Sequence, residues 1–492
     1  MPQNIAIVGS GFLGMTLALR LAESGAKVTI FESADQIGGL AAACRIGDFE
    51  WDRHYHVTLG SDSFTRKLVE QLGLGFEFNW VETKTGFFTD GKLYSMSDTM
   101  EFLRFPPLSL IGKLRLGATI FYASRFKDWK ALEKIPVEAW LTKLSGKRTF
   151  EKIWKPLLKA KLGEAYRETS AAFIWATIQR MYAARNSGMK TEMFGYVSGG
   201  YANVLARFGE LLVEKGVETR LNSRIEKIES DTDGQVRVVT ASNTIASRTH
   251  AVNDREKAKY ASVRTAVSVV PGFSGMFLSE PSSSNGGFSD VRDREPDRTF
   301  DKVILTCQSG TAANLLPELG DDERAALENI RYQGIVCASV LLKYPLSKFY
   351  VTNITDESPF TGVIEMSALV DRAAFGGNSL VYLPKYVAPN DDLFARSDDE
   401  IKDAFLGGLE KMYTHFRRSD VLAFNVSRVR QVFPIPVIDY SDSLPPVTTS
   451  VENVYVVNSS HIVNGTLNVN ETIQLAERFF NEHFMESAAE SA

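Results

Sequence analysis

Residues 4–32, NIAIVGSGFLGMTLALRLAESGAKVTIFE, constrain this chain more than any other stretch. The run Ile5-Ala6-Ile7-Val8 is short and wholly apolar, as a strand buried on both faces must be. Gly9, Gly11 and Gly14 follow in GxGxxG spacing. Residues 12–24 place Leu13, Leu17 and Leu21 on one helical face, Gly25 ends that helix, and 28–31 read as a second strand closed by Glu32. Each glycine has a separate task. The first permits the tight turn, the second lets a pyrophosphate approach the backbone, and the third lets helix and strand pack closely. The helix N-terminus offers unpaired N–H groups to phosphate. An acid at the end of the second strand can accept hydrogen bonds from a ribose. A lone GxGxxG is weak evidence. Here strand, turn, helix, strand and acid all fall in register, so the expectation is a dinucleotide site on a parallel α/β sheet.

Glu32 disfavours a 2′-phosphate, which leaves NAD and FAD. The residues after it, SADQIGGLAAAC, choose between them. Alone, Gly38-Gly39 reads equally well as an ordinary loop. Placed after this opening, the pair resembles the second glycine signature of the flavin amine oxidase superfamily. That group contains amine oxidases, protoporphyrinogen oxidases and phytoene desaturases, with UDP-galactopyranose mutase more distant. The resemblance implies FAD, held by Gly9, Gly11, Phe12, Leu13, Gly14, Glu32, Ser33, Gly38, Gly39 and Leu40. Relatives usually carry an Arg beside the pair, where this chain has Leu40.

Composition narrows the class without naming a substrate. The 492 residues are 44% hydrophobic and 23% charged, an ordinary globular balance. A net charge of −5 gives no reason to expect nucleic acid. Cys44, Cys307 and Cys337 are too widely spaced for a disulfide framework or a zinc site, so no metal is expected. The first strand begins within a few residues of Met1, without the pattern of a secretory leader, and the expectation is a cytoplasmic protein.

Further along, Asp52-Arg53-His54-Tyr55-His56 resembles the turn that passes near the flavin in relatives. His54 and His56 are therefore catalytic candidates, with Asp52 beside them. A surface turn or structurally paired histidines is the alternative. Asp90-Gly91 between GFFT and KLYSM signals a hairpin, where the chain leaves the dinucleotide domain. Residues 102–126 are strongly apolar. Leu110, Leu114, Ala118 and Phe121 form one helical stripe, with Ile111 and Tyr122 beside it. Lys113 and Arg115 in its middle, each costing about 2.5–3.5 kcal/mol in a bilayer, argue against a membrane span. The stripe either packs into a helical substrate domain, the preferred expectation, or makes peripheral contact with a membrane surface. Lys161, in the segment KPLLKAKLG, is a third catalytic candidate, against the ordinary reading of a solvated lysine.

The chain returns to the first domain after Gly199-Gly200, and the resemblance places the backbone of Ile225 near the adenine. Residues 241–298, rich in Ser, Asn, Asp and Arg, read as a flexible insertion. Asp301 and the run Val303-Ile304-Leu305 restore the strand pattern. Short β-branched runs from 332 to 386 suit a cavity floor, residues 399–416 read as an amphipathic helix, and Phe433-Pro434-Ile435-Pro436 as a rigid turn near the flavin. A strand at 454–458 and a helix at 471–480 close the chain, with Asn468, Val469 and Asn470 as flavin contacts. Relatives carry Gly-Asp after that strand, where this chain has Asn458-Ser459.

The expected fold is therefore α/β: a Rossmann-like, glutathione-reductase-type FAD domain from discontinuous segments (1–75, 196–240, 299–330, 445–485) plus an α+β substrate domain (76–195, 331–444). Residues 486–492 read as a disordered tail. The implied activity is FAD-dependent oxidation, a hydride leaving a C–N or C–C bond of a small or lipophilic substrate. A non-redox UDP-sugar mutase-like enzyme, or a flavin-binding protein without turnover, are the alternatives.

Overall fold

The computed structural model describes residues 2–186, 193–241 and 298–485. The insertion expected at 241–298 and the tail at 486–492 lie outside the described residues, apart from Ala241 and Arg298. The opening unit forms as its spacing requires. Strand β1 (Asn4–Val8), helix α1 (Phe12–Glu23) and strand β2 (Lys27–Phe31) follow one another, and the strands pair in parallel from Asn4↔Lys27 to Val8↔Phe31. Ile5, Ala6 and Ile7 are fully buried because β1 is an inner strand covered on both faces. It is the centre of a five-stranded parallel sheet ordered Glu218–Arg220, β2, β1, Lys302–Leu305, Val454–Val456. Strands from the start, middle and end of the sequence thus share one sheet. Helix α1 packs between this sheet and the helices Gly200–Glu214 and Val469–Phe480, which explains why nearly its whole circumference is buried.

A second sheet of seven strands has Tyr332–Leu342, buried along its entire length, as an inner strand. It runs antiparallel to Val421–Pro434 on one side and Ser379–Val387 on the other. The expected hairpin closes its far edge. Asp90 and Gly91, at φ 53° and 68°, both take the left-handed conformation that a type I′ turn needs between Thr85–Thr89 and Lys92–Ser95.

Helices α2 (Ser63–Gln71), α3 (Thr99–Arg104) and α4 (Leu110–Arg125) lie before the helices Val137–Ser145, Lys155–Leu162 and Ala171–Asn186. Asp98 caps α3 by accepting from the Glu101 amide at 2.8 Å, and Ser109 caps α4 by accepting from Gly112 at 3.2 Å. Two helix starts differ from expectation for the same reason, and the helix expected over 399–416 also ends early, at Met412. The helix Asp398–Met412 starts one residue early behind a Ser397/Glu400 capping box, and Val469–Phe480 starts behind the Asn468 cap rather than at 471.

Two expectations are overturned. Phe433 and Pro434, expected in a rigid turn, instead end the strand Val421–Pro434 and pair with Gln333 and Tyr332. The α4 stripe does not pack inward: Leu110, Ile111, Leu114, Phe121 and Tyr122 are exposed. The inner face is instead Gly112, Lys113, Leu116, Thr119 and Ala123. Small residues there let the helix sit close, with Thr119 Oγ1 2.9 Å from Ser145 Oγ, and the Lys113 ammonium is satisfied by the Leu103 carbonyl at 2.7 Å. Among the described residues no helix is long and apolar enough to cross a membrane.

Candidate cofactor and substrate site

The glycines of the first turn show three different geometries, one for each expected task. Gly9 has φ +108°, and a Cβ there would sit 2.7 Å from Thr306 Oγ1. A Cβ on Gly14 would lie 2.1 Å from the Gly9 carbonyl oxygen, so only glycine allows this helix-to-strand approach. A Cβ on Gly11 would meet nothing within 4 Å. Its missing side chain relieves no contact inside the protein and leaves room for a ligand. The second glycine signature lies against this cradle. Gly38 N–H donates to the Ser10 carbonyl at 2.9 Å, Gly11 and Gly38 form an isolated parallel bridge, and a Cβ on Gly39 would be 3.3 Å from Gly11 Cα. Phe12 and Leu13 begin α1 as buried packing residues, so through their side chains they hold the helix in place.

Glu32 stands at the end of β2, as expected. Its Oε2 accepts from Ser10 N–H at 2.9 Å and Ser10 Oγ at 2.7 Å, and its Oε1 accepts from Ala34 N–H at 2.9 Å. The Ser33 hydroxyl reaches Oε1 only at 3.3 Å, and a ribose hydroxyl would displace this longest contact. Ser223 N–H donates to the Glu32 carbonyl at 2.8 Å, so the start of the Ile225–Ser230 strand is tied beside β2. Ile225 is buried there in one cluster with Val8 and Phe31. At the other end, Asn468 Oδ1 accepts from Glu471 N–H at 3.1 Å and its Nδ2 donates to the Thr466 carbonyl at 2.7 Å. The amides of Val469 and Asn470 precede the first intrahelical bond, so this terminus keeps free donors for a polar ligand edge. The donor set, the open space at Gly11 and the paired glycine loops fit an adenine dinucleotide.

The two histidine candidates separate. His54 is buried, and both ring nitrogens are engaged: Nδ1 lies 3.2 Å from the Leu40 carbonyl and Nε2 3.1 Å from Ser427 Oγ. Burial lowers its pKa to about 4, so it is neutral, donating from Nδ1 and accepting at Nε2. It fastens the loop after Gly38-Gly39 to the strand Val421–Pro434, which makes it a positioning residue. His56 Nδ1 lies 3.7 Å from Asp52 Oδ2, and its ring is 5.0 Å from that of Tyr201. Asp52 Oδ1 in turn accepts from Tyr201 N–H at 2.7 Å. A small cavity runs past Trp51, Asp52, His56 and Tyr201. Among the described residues, His56, His54 and Lys161 share no hydrogen-bond partner.

Lys161 has the most unusual surroundings. Its Nζ lies 3.8 Å from the Tyr386 ring centroid and 4.8 Å from that of Phe433. Among the described residues it has no carboxylate or hydrogen-bond partner, and burial lowers its pKa to about 7. Tyr386 Oη is 3.0 Å from Tyr55 Oη, one residue beyond His54. Burial raises the Tyr55 hydroxyl to about 12, so this pair stays protonated. Gln333 pairs with Phe433 across the sheet and is buried, and its Nε2 has no hydrogen-bond partner among the described residues. A Cβ on Gly163, two residues past Lys161, would be 3.9 Å from that nitrogen. Tyr386 and Gln333 escaped the sequence reading. The alternation around each marks only a strand, and nothing local shows which residue faces Lys161. Among the described residues no cluster of three or more His, Cys, Asp or Glu side chains is placed to hold a metal.

Comparison with known proteins bears on the family and the fold. The sequence model described as flavin containing amine oxidoreductase matches residues 14–252 and 282–473. The chain is 25% identical over 260 residues to a 15-cis-phytoene desaturase of Glycine max, covering 49% of this chain and 45% of that protein. It thus spans about half the length of such relatives. It is 22% identical to a probable zeta-carotene desaturase of Synechococcus elongatus, over 93% of both chains. The crystal structure of a putative protoporphyrinogen oxidase from Exiguobacterium sp. 255-15 superposes with a TM-score of 0.69 at 17% identity, covering 99% of both chains, a likeness of fold.

Proposed function

We propose that this chain, which belongs to the flavin-containing amine oxidoreductase family, is an FAD-dependent oxidoreductase that dehydrogenates a C–C bond of a lipophilic substrate. The Rossmann-like FAD domain is assembled from 1–75, 196–240, 299–330 and 445–485. In support, all five strands of the parallel sheet come from these segments. The substrate domain takes 76–195 and 331–444, the source of every strand in the seven-stranded sheet. Gly11 and Gly39 would line the pyrophosphate approach, Glu32 and Ser33 would hold the ribose, Ile225 would lie by the adenine, and Asn468 and Val469 would hold the flavin end.

The observation that carries the substrate class is Lys161. An amine bound as a cation favours the face of an aromatic ring, a contact reaching about 2 kcal/mol when dry. Here the Tyr386 face is already taken by the chain's own ammonium, and Phe433 flanks it. A second cation would meet Lys161 at close range. An apolar substrate meets no such repulsion. Bound FAD supplies the acceptor for a hydride. With its pKa near 7, Lys161 divides between two forms: the ammonium repels a cationic substrate, and the neutral amine takes up at Nζ the proton that leaves the neighbouring carbon. The Tyr55–Tyr386 hydrogen bond holds the ring that Lys161 rests on. That curated relatives of this chain carry desaturase names supports the C–C reading over the C–N one.

The test is anaerobic reduction of the flavin in the purified protein. Long-chain isoprenoids delivered in vesicles should bleach it, and putrescine or benzylamine should not. Rapid bleaching by either amine, or turnover of UDP-galactose by the reduced protein, would overturn the proposal.

A further inference from the structure

The contact between Tyr55 and Tyr386 leaves one proton unspent. Burial keeps both phenols protonated, so the pair carries two O–H donors, and the single 3.0 Å bond between its oxygens uses one of them. Among the described residues neither hydroxyl has another hydrogen-bond partner. The sheet register puts a further donor on the same side. Ile335 pairs with Tyr386 and Gln333 with Phe433, and residues two apart on a strand share a face. That face therefore carries Tyr386, Phe433 and the buried Gln333, whose Nε2 is also without a partner among the described residues. Lys161 Nζ stands over the ring that bears the Tyr386 hydroxyl. Tyr55, Tyr386 and Lys161 keep part of their surface accessible, although each lies deep enough for burial to shift its pKa, so they line a recess instead of being packed solid.

The chemistry of the recess decides what fills it. A buried donor left without an acceptor costs about 1–3 kcal/mol, and a plain hydrocarbon would seal every one of these donors in that state. A hydroxyl group would bring one more donor to a place already rich in them. A carbonyl brings only lone pairs, two on one atom. It also acidifies the C–H bond next to it, which suits an amine base as weak as Lys161. Donors aimed at its oxygen stabilise the negative charge that develops there as the proton leaves.

We propose that the Tyr55–Tyr386 hydroxyl pair holds the carbonyl oxygen of a lipophilic ketone, and that the bond dehydrogenated is the saturated one beside that carbonyl. The proposal rests on the C–C reading above and narrows its substrate. The carbon next to the carbonyl gives its proton to the neutral amine of Lys161. The carbon beyond it gives its hydrogen, with the bonding electron pair, to oxidised FAD, and the two carbons become doubly bonded. The ketone is thereby oxidised by two electrons to a conjugated enone, and the same two electrons reduce the flavin.

The experiment compares phytone, a saturated isoprenoid ketone, with phytane, a hydrocarbon of nearly the same chain, as anaerobic reductants of the FAD-loaded full-length protein. Phytone should bleach the flavin at least about tenfold faster. Tyr386→Phe keeps the ring beneath Lys161 and removes only the oxygen, and it should cut the phytone-to-phytane rate ratio at least about tenfold, as should Tyr55→Phe. A second readout needs no turnover. In dithionite-reduced protein the infrared carbonyl band of bound phytone should lie below its position in vesicles, and Tyr386→Phe should move it back, which a merely structural tyrosine would not do. Equal bleaching by phytone and phytane, a ratio that both variants leave unchanged, or an unshifted carbonyl band would each overturn this inference and leave the C–C reading standing. Bleaching by an amine and by neither isoprenoid would remove that reading, and this inference with it.

Discussion

Gly11 and Gly14 stand three residues apart, and the structure assigns them opposite consequences on mutation. In Gly11→Ala the new methyl meets no protein atom within 4 Å. The backbone there, φ −69° and ψ 174°, is one that alanine adopts freely. Restricting the unfolded chain gains about 0.4–1 kcal/mol, and placing alanine at a helix N-cap costs a comparable amount. Stability without FAD should therefore stay within about 0.5 kcal/mol of wild type. The methyl does project into the space that a pyrophosphate needs. Losing one backbone hydrogen bond to a charged oxygen costs about 1.5–3 kcal/mol, or about 10- to 150-fold in FAD affinity. Gly14→Ala reverses the pattern. Its Cβ would lie 2.1 Å from the Gly9 carbonyl oxygen, and that contact is backbone, with no flexible side chain to move aside. Relieving it costs about 1–3 kcal/mol of stability in the absence of any ligand. The assay is paired: urea denaturation of the apoprotein, and titration of the apoprotein with FAD followed by flavin fluorescence. Should Gly11→Ala bind FAD as wild type does, or unfold as early as Gly14→Ala, the division of labour among these glycines is wrong.

Three further variants have expected outcomes. Lys161→Met should stabilise the fold by about 1–4 kcal/mol at neutral pH and below, because it replaces an unpaired buried ammonium with an apolar chain. The folded pKa of about 7 lies below the unfolded 10.5, so wild-type stability rises with pH through that window and the advantage of the variant shrinks, measurable as converging melting temperatures. The wild-type flavin-reduction rate should rise as pH passes about 7, and the same variant should lose that rise. Glu365, fully buried, has its pKa raised from 4.5 to about 7 by burial, so the folded chain holds a proton there that the unfolded chain releases. Wild-type stability should accordingly fall as pH rises through that interval, and Glu365→Gln should flatten the dependence in thermal melts. Arg180→Met removes both guanidinium contacts to the buried Asp62, at 3.2 and 2.7 Å, and should cost about 3 kcal/mol in urea denaturation, the low end for a broken buried pair because the arginine is partly exposed.

How much was legible in the sequence follows from how far apart the interacting residues lie. The first thirty residues carry their own proof. Turn, helix and second strand touch one another across short separations, so spacing alone specifies the glycine geometry and the position of Glu32. The hairpin at Asp90-Gly91 and the caps at Asp98 and Ser109 are local in the same way. The substrate end is different. Tyr55 meets Tyr386 across 331 residues, and His54 meets Ser427 across 373. Strand alternation shows that such residues face one side or the other, and only the assembled sheets decide which partner each receives. His54 was a catalytic candidate on its type and position, and the contact that holds its Nε2, to Ser427, lies too far along the chain for any local pattern to show.

Helix α4 states the same division most plainly. From the sequence alone, the chain determined that a helix forms there and which residues share its apolar stripe, since those are consequences of a 3.6-residue period. Which side the rest of the protein would cover was decided only by tertiary packing. Gly112, Thr119 and Ala123 let the helix lie close against its neighbours, and the bulkier stripe was left facing out. Periodicity defines a face, but it carries no information about what lies opposite that face.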